Sequence, residues 1–437
     1  MPDTLWNLRM IRKASQTGVG CSVVELGGVR HFFVAAAARQ GAGFRQQAQD
    51  VLRGIEGLLK AEGARASIVM QSVFLGNSAD EAECRAIMRE FYGADMPATT
   101  YIWQPPCDGA LLAIEAMGVG RTQGQGELEI VRRGEDTVIV RHSGIAWAHV
   151  GGVRGETAAV HGAATSAFEL AAARLESAGF RFEEVIRTWL YLGDITGMEG
   201  QQTRYAELNR ARADVYRDLK FAAGSKWSEG DSPVFGDHRR PLLRSGARSV
   251  PAKTGTVPVF PASTGIGADG KHVTIGCMAM RAERAGVRAV AIENPKQTAA
   301  YDYAHQYGNE SPKFCRAMAV AADDFAAIFI SGTASITASE TRHLGDIGAQ
   351  TAQTLDNIES LIAEANLADH GLAGCGSTLA DLALVRVYIK RREDYALARA
   401  ICEKRLGGVP VIYALGDICR AELLVEIEGI AFSQQKQ

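Results

Sequence analysis

Two glutamates near the end of the chain, Glu426 and Glu428, stand two positions apart in an otherwise apolar run. Side chains at positions i and i+2 of a strand leave the same face, so the sequence places the two carboxyl groups side by side. Burial and a neighbouring carboxylate both raise the pKa of an acid, so such a pair can supply a general acid that keeps its proton near neutral pH. The alternative is a one-sided sheet whose polar face carries both acids into water.

The strand that carries these acids is predicted over residues 423–430. It follows a second β-branched run, residues 409–415, across the polar turn at Gly416 and Asp417. Two such runs separated by turn residues predict a β-hairpin. The acids would then lie on the last strand of a C-terminal sheet.

The elements upstream repeat in one order: strand, strand, helix, strand, helix, strand, strand. The order appears between residues 21 and 119, returns between 128 and 280, and appears again from 315 onward. A repeat of about 145 residues is too long for a solenoid unit and predicts three copies of one α+β domain, each with two helices on one face of a mixed sheet. The predicted domains are residues 1–122, 123–286 and 287–437. Residues 222–256 form a long Gly-, Ser- and Arg-rich insertion in the second domain, which we interpret as a functional loop or lid.

Composition narrows the function classes. The chain of 437 residues is 47% hydrophobic and 22% charged, with a net charge of −3, so no basic excess indicates nucleic-acid binding. It shows neither a signal peptide nor an apolar run of membrane length. The 8 cysteines include no CxxC pair and predict free thiols in a reducing, cytoplasmic setting. The histidines follow no metal-binding spacing, so no metal is expected.

The repeated order and the ending Glu426-Ile-Glu-Gly resemble the Rid/YjgF family, small enzymes that form trimers with active sites between subunits. The resemblance implies that the three domains form a pseudo-trimer within one chain, as a monomer or a homodimer. Rid deaminases pair an arginine on the penultimate strand with a glutamate on the last one. No domain of this chain keeps that pair, and only the third keeps the acid, Glu426.

Residues 128–432 resemble a narrower group, the chorismatases, which hydrolyse the enolpyruvyl ether of chorismate without a cofactor. The matching stretches occur in the same order and begin at Arg187-Thr-Trp-Leu-Tyr-Leu-Gly-Asp-Ile, Glu293-Asn-Pro-Lys-Gln-Thr, Gln306-Tyr-Gly-Asn-Glu-Ser-Pro-Lys-Phe-Cys-Arg, Phe329-Ile-Ser-Gly-Thr-Ala-Ser-Ile, Glu340-Thr-Arg-His and Asp417-Ile-Cys-Arg. The resemblance implies an enol-ether hydrolase or lyase that releases pyruvate and a hydroxybenzoate-type or dihydrodiol product. It also implies a site between the second and third domains.

The resemblance assigns roles to individual residues. Glu426 would be the general acid and Glu428 its support, and Cys419 resembles the subgroup that aromatises the ring. A carboxylate substrate needs cationic and hydroxyl partners. The residues expected to bind it are Tyr301, Tyr303, Tyr307, Arg316, Thr333, Arg342, Arg204 and Arg386.

Three positions where chorismatases tend to carry arginine hold Asp302, His305 and Glu310 here, which favours a less anionic enol ether as an alternative substrate. Two other functions stay open at this point. One is enamine or imine hydrolysis of the Rid type, and the other is non-catalytic binding of a small metabolite.

Overall fold

Three six-stranded sheets follow one another along the chain, each with helices on one face. The computed structural model describes residues 11–16, 18–62, 66–121, 127–222, 259–303, 310–323 and 325–435. Apart from Ala222, the insertion predicted over 222–256 lies outside these ranges, as does Tyr307.

The first unit is defined by the following elements: β1 (Ile11–Gln16), β2 (Val19–Leu26), β3 (Val29–Ala37), α1 (Phe44–Ala61), β4 (Ala66–Leu75), α2 (Glu81–Tyr92), β5 (Ala98–Ile102) and β6 (Leu112–Arg121). Its strand order is β1-β2-β3-β6-β4-β5. Only β4 and β5 are parallel.

The second unit repeats this arrangement with β7 (Leu128–Arg133), β8 (Thr137–His142), β9 (Ile145–Gly155), α3 (Val160–Ser177), β10 (Val185–Gly193), the short pair β11 (Met198–Glu199) and β12 (Gln202–Thr203), α4 (Arg204–Tyr216), β13 (Ala262–Ala268) and β14 (Val273–Ala282). Its strand order is β7-β8-β9-β14-β10-β13. Helix α4, which contributes to the cleft discussed below, begins after Thr203, whose hydroxyl accepts the backbone N–H of Ala206 at 3.1 Å.

The third unit contains β15 (Arg288–Ile292), β16 (Ala317–Ala322), β17 (Phe325–Ala334), the short pair β18 (Ile336–Thr337) and β19 (Glu340–Thr341), α5 (Ile347–Ile362), α6 (Glu364–Asp369), β20 (Leu382–Ile389), α7 (Tyr395–Leu406), β21 (Val411–Leu415) and β22 (Val425–Gln434). Its strand order, β15-β16-β17-β22-β20-β21, is that of the other two units.

The structure corrects two details of the predicted units. Each sheet has an additional first strand (β1, β7 or β15), so three antiparallel strands precede the first helix. The predicted C-terminal hairpin is wrong, because β21 and β22 both pair with β20 and lie on opposite sides of it. The connection between them therefore crosses β20, and the polar turn signal at Gly416 marks the start of this crossing.

The central strands of each sheet are buried on both faces. In β20, Val385, Val387 and Ile389 pack under the helices of the third unit, whereas Leu384 and Tyr388 enter a core shared by all three sheets. The first and second units have helix-covered cores of their own. Side chains of alternate strand positions thus meet at the centre of the molecule, where an acid on one sheet can contact residues from the other two.

Candidate active site

Both acids of β22 point into the protein where the units meet. Glu426 is 5% exposed and Glu428 is 3% exposed, so the alternative of a solvated polar face is wrong. Glu426 is paired with Tyr388 and Glu428 with Arg386 across β20. Although they leave the same face of one strand, the two carboxyl groups have different surroundings.

Glu428 is enclosed by donors from two units. Its carboxylate accepts hydrogen bonds from Tyr388 Oη at 2.8 Å and from Trp189 Nε1 at 3.1 Å, and it also contacts Arg187 and the hydroxyl of Thr264. Burial alone would raise its pKa, but the charges of Arg386 and Arg187 outweigh burial and lower it. Glu428 is therefore a carboxylate at neutral pH.

The first unit supplies a carboxylate, Glu115, that pairs with Arg386, the arginine next to Glu428. Arg386 donates to both carboxylate oxygens of Glu115, with Nε–Oε2 at 2.5 Å and Nη2–Oε1 at 2.6 Å. It also donates to Ser72 Oγ at 2.8 Å and to Tyr191 Oη at 2.8 Å. One guanidinium thus joins side chains from all three sheets in a buried network.

Glu426 faces a cleft instead of this network. Its carboxyl group has no hydrogen bond or ion pair within the described ranges. Burial is the main cause that raises its pKa, the nearby charge of Glu428 adds to it, and together they bring it to about 8. At pH 7 about nine molecules in ten then carry the proton. The geometry supplies a neutral carboxylic acid at physiological pH.

Gly332 makes room for this acid. A bulge in the pairing of β17 with β22 lies between Ile330 and Thr333. A Cβ atom on Gly332 would lie 3.0 Å from Cδ of Glu426 and closer still to its Oε1 atom. The backbone N–H of Gly332 donates to Thr264 Oγ1 at 2.9 Å and so ties the bulge to the second unit.

The cleft lies between the second and third units and spans about 720 Å³ including the open space at its mouth. Helix α4 and strand β13 form one wall. The third unit forms the other. Residues that line it are Tyr205, Arg212, Ser263, Gly265, Tyr303, Pro312, Phe314, Arg316, Gly332, Thr333, Ala334, Ile336, Cys419, Arg420, Leu423 and Glu426.

Three arginines surround the cleft, and sequence reasoning had selected only Arg316. Arg316 Nη2 donates to Tyr303 Oη at 2.6 Å and to the carbonyl of Thr298 at 2.8 Å. Its Nε atom has no hydrogen-bond partner in the part of the chain that the structure describes. Arg420 lies over the ring of Tyr303, 5.3 Å from its centroid. Arg212 comes from the second unit and is held by Asn209 Oδ1 at 2.6 Å.

Cys419 lies on the same cleft and is half-buried. Burial, with a smaller effect of Glu426, raises the pKa of its thiol to about 12. The thiol is therefore neutral at physiological pH.

The structure brings together Glu426, Cys419, Tyr303, Arg316 and Thr333, and the other expected binding residues within the described ranges lie elsewhere. Arg386 does not reach the cleft, because Glu115 and Glu428 hold it in the central network. Arg204 is bonded to Glu199 and to backbone carbonyls at the start of α4.

Two further residues also lie outside the cleft lining. The side chain of Arg342 is 46% exposed and paired with Glu340 at 3.1 Å. The ring of Tyr301 packs on Phe260 with a centroid distance of 5.6 Å. Asp302 and Glu310 are exposed and do not line the cleft either, so their acidic character does not alter the charge of its wall.

Sequence reasoning missed Arg212, Tyr205 and Arg420. Arg212 is almost fully buried in α4, and its spacing of four from Leu208 and three from Val215, on the buried side of the helix, is a signal that could have selected it. Arg420 directly follows Cys419, but nothing in its local pattern indicates that it turns into the cleft. Both belong to the wall only because two distant segments meet there.

Within the described ranges, no group of three or more His, Cys, Asp or Glu side chains is placed to hold a metal ion. No helix in this part of the chain is long and apolar enough to cross a membrane.

Comparisons with known proteins agree with the expected resemblance. No protein-family model matches the chain. A 3-hydroxybenzoate synthase from Streptomyces hygroscopicus is 34% identical over 258 residues, which cover 57% of this chain and 64% of that protein. A chorismatase from Streptomyces rapamycinicus is 43% identical over 175 residues, 39% of this chain and 51% of that protein. The chain thus spans between about half and two thirds of the length of these curated relatives.

The fold has a solved counterpart. A chorismatase crystal structure superposes with a TM-score of 0.59 at 23% identity and covers 84% of this chain and 93% of that one. This likeness shows the fold. The sequence relatives and this solved structure agree in kind, since the chain is similar in sequence to chorismatases and shares the fold of one of them.

Proposed function

We propose that this chorismatase-like chain cleaves the enolpyruvyl ether of chorismate or of a closely related enol ether by general-acid catalysis. The observation that carries the proposal is the Glu426 carboxyl group, buried and with its pKa raised to about 8, in a cleft walled by Arg212, Arg316 and Arg420. An enol ether resists hydroxide and reacts when its methylene carbon is protonated, a step that needs an acid still protonated near neutral pH.

The reaction follows from that placement. Glu426 transfers its proton to the methylene carbon, which becomes a methyl group, and the adjacent carbon becomes an oxocarbenium ion. Water adds to this carbon and gives a proton back to the Glu426 carboxylate. The hemiketal then collapses, with transfer of its hydroxyl proton to the ether oxygen, to pyruvate and the ring alcohol. No group other than Glu426 needs to change its protonation state.

The arginines define the substrate class. The enolpyruvyl group carries a carboxylate beside the reacting carbon, and a ring acid carries a second one. Guanidinium groups bind carboxylates through paired, charge-assisted hydrogen bonds. Arg316 and Arg420 flank the Tyr303 ring on the third-unit wall, and Arg212 faces them from the second unit. Two carboxylates can thus be held at opposite walls with the ether between them.

Pyruvate release provides the test. The protein is incubated with chorismate, and pyruvate is measured with a coupled lactate dehydrogenase assay. Glu426→Gln keeps the size of the side chain and removes only the transferable proton, so we expect turnover to fall by at least ~100-fold. Its thermal unfolding should match that of the wild type, since the native acid is already neutral. Absence of pyruvate release by the wild-type protein, or full activity of the variant, would refute the proposal.

The product tests the role of Cys419. Release of a hydroxybenzoate consumes no water overall, whereas release of a dihydrodiol consumes one. A neutral thiol next to the acid fills space that water would otherwise occupy. We therefore expect Cys419→Ala to increase the dihydrodiol fraction, measured by chromatography, while pyruvate release stays within a few-fold of the wild type. An unchanged product ratio would contradict this role.

A further inference from the structure

A second cavity lies inside the core that the three sheets share, next to the β2–β3 and β8–β9 hairpin turns. It encloses about 610 Å³ including its mouth. Its walls are formed by aromatic and aliphatic side chains of all three units, among them Phe33, Val140 and Phe329. None of the residues that line the acid cleft lines this cavity.

Three histidines interrupt the apolar wall. His142 and His149 are 5% and 7% exposed, and the ring of His31 lies 4.7 Å from that of His142. Three ring nitrogens have no hydrogen-bond partner within the described ranges: Nε2 of His31, Nε2 of His142 and Nδ1 of His149. The indole Nε1 of Trp147 is also without a partner there. Buried polar atoms are almost always satisfied, so a group of four on one cavity points to a missing hydrogen-bonding occupant.

The space arises because the three sheets differ at equivalent positions. At one position, the first, second and third units hold Phe33, His149 and Phe329. These positions are equivalent because each pairs with the corresponding residue of the unit's last strand, which is Met117, Met278 or Ile430. The next set holds His31, Trp147 and Ala327. Ala327 therefore leaves a gap on the third unit, and the unpartnered nitrogens lie on the first and second units opposite it.

The charge of the wall selects the occupant. Among the residues that the structure describes, no lysine, arginine, aspartate or glutamate lines the cavity. Burial lowers the pKa of His142 and of His149 to about 4, so both imidazoles are neutral and can donate one hydrogen bond and accept another. The histidines are not arranged to hold a metal ion. An anion would lose its hydration here without gaining a counter-charge.

We propose that this cavity is a binding site for a small uncharged aromatic molecule that carries a hydroxyl group, with the ring against the Phe and Val side chains and the hydroxyl on the histidines. The acid cleft and the histidine cavity thus differ in the charge they accept. The acid cleft presents three guanidinium groups to carboxylates, whereas the histidine cavity admits only neutral rings. This inference does not depend on the proposed catalytic function.

Binding of phenol, toluene and benzoate to the full chain tests the proposal, with saturation-transfer NMR or calorimetry as the readout. We expect phenol to bind about fivefold more tightly than toluene, the contribution of one hydrogen bond in an apolar site. Benzoate should not compete with phenol, because it would occupy only the acid cleft. Failure of phenol to bind the wild type, or displacement of phenol by benzoate, would overturn the proposal.

Two variants locate the binding. Ala327→Phe fills the gap and should abolish binding of phenol and toluene. His149→Phe places in the second unit the residue that the other two units already have there, so we expect it to fold and to reduce the preference for phenol over toluene. Phenol that binds both variants as it binds the wild type overturns the assignment. Glu426→Gln should bind phenol normally, so loss of catalysis and loss of this site are distinguishable.

Discussion

Substituting Gly332 by alanine tests whether the position of the Glu426 carboxyl group determines activity. The added methyl carbon would lie 3.0 Å from Cδ of Glu426 and 3.0 Å from Cγ2 of Thr264, whereas relaxed contacts between carbon atoms are about 3.5–4.0 Å. Gly332 is not among the residues with positive φ, so its backbone conformation suits alanine. The carboxyl group is the end of a movable side chain, and it must retreat by roughly 1 Å.

A displacement of about 1 Å at a reacting group costs on the order of 100-fold in rate. We therefore expect kcat/KM for pyruvate release from chorismate to fall about 100-fold in Gly332→Ala, although no polar group has been removed. The unfolding midpoint should change little because a side-chain end moves into an open cleft. Gly57→Ala is a matched control, since a Cβ on this helical glycine meets no atom within 4 Å and should leave activity unchanged.

A double substitution separates this cause from others. Glu426→Asp is shorter by one carbon–carbon bond, about 1.5 Å, and its carboxyl group no longer reaches the added methyl. If the loss in Gly332→Ala comes from this clash, the double variant should be about as active as Glu426→Asp alone. Additive losses would place the effect of the methyl group elsewhere. Wild-type activity of Gly332→Ala would refute the reasoning about the acid.

Three further expectations concern charge. The active form of Glu426 is protonated, so kcat/KM should be flat below pH 8 and fall about tenfold per pH unit above it; a rate that rises with pH through 4.5 would contradict this. Glu115→Gln should lower the free energy of unfolding by about 3–5 kcal/mol, because it leaves the buried Arg386 without its bidentate partner; Glu403→Gln, at a half-exposed pair, should cost under ~1 kcal/mol in the same urea titration. His149 has a pKa of about 4 in the folded protein against about 6.5 unfolded, so the unfolded state takes up the proton first as pH falls, and up to about 3 kcal/mol of stability is lost between pH 6.5 and 4. His149→Phe should remove that share of the pH dependence.

The sequence predicted the three-unit architecture because the repeat of element types and the lengths of the units are local properties. It predicted wrong partners for the closing strands. Residues 409–430 read as a hairpin, yet β21 and β22 are separated by β20, which comes earlier in the chain. Local turn chemistry does not record which strand fills the space between two others. The first strands β1 and β15 were missed for a similar reason, since a short edge strand such as β15 is only partly buried and alternates weakly.

The candidate site residues show the same difference between local patterns and tertiary contacts. Glu426 was predicted because an acid in an apolar strand is a local contradiction that the chain alone displays. Arg386 and Arg212 could not be told apart, since each is one arginine within a regular element. Their surroundings depend on which unit lies opposite. Arg386 faces Glu115 of the first unit, whereas Arg212 faces the cleft. Tertiary placement decides whether a buried cation is a structural partner or a ligand for substrate.

The contrast between Glu426 and Glu428 explains what three linked, unequal units can do that three identical ones cannot. Strands β4, β10 and β20 are equivalent, and one equivalent position on them holds Ser72, Trp189 and Arg386. Their partners on the last strands are Glu115, Gly276 and Glu428. Three identical chains would bring three arginines together at the axis, where like charges at short range disfavour one another's ionised form.

In this chain only one of the three equivalent positions holds an arginine, and the other two hold Ser72, whose hydroxyl accepts from Arg386, and the indole of Trp189. Arg386 can therefore neutralise acids from two different units at once. Glu428 is held as an anion by this arrangement, and its fixed charge is one of the two causes that keep the proton on Glu426. The first unit carries Ala113 where the third carries Glu426, and its Glu115 belongs to the same buried network as Glu428.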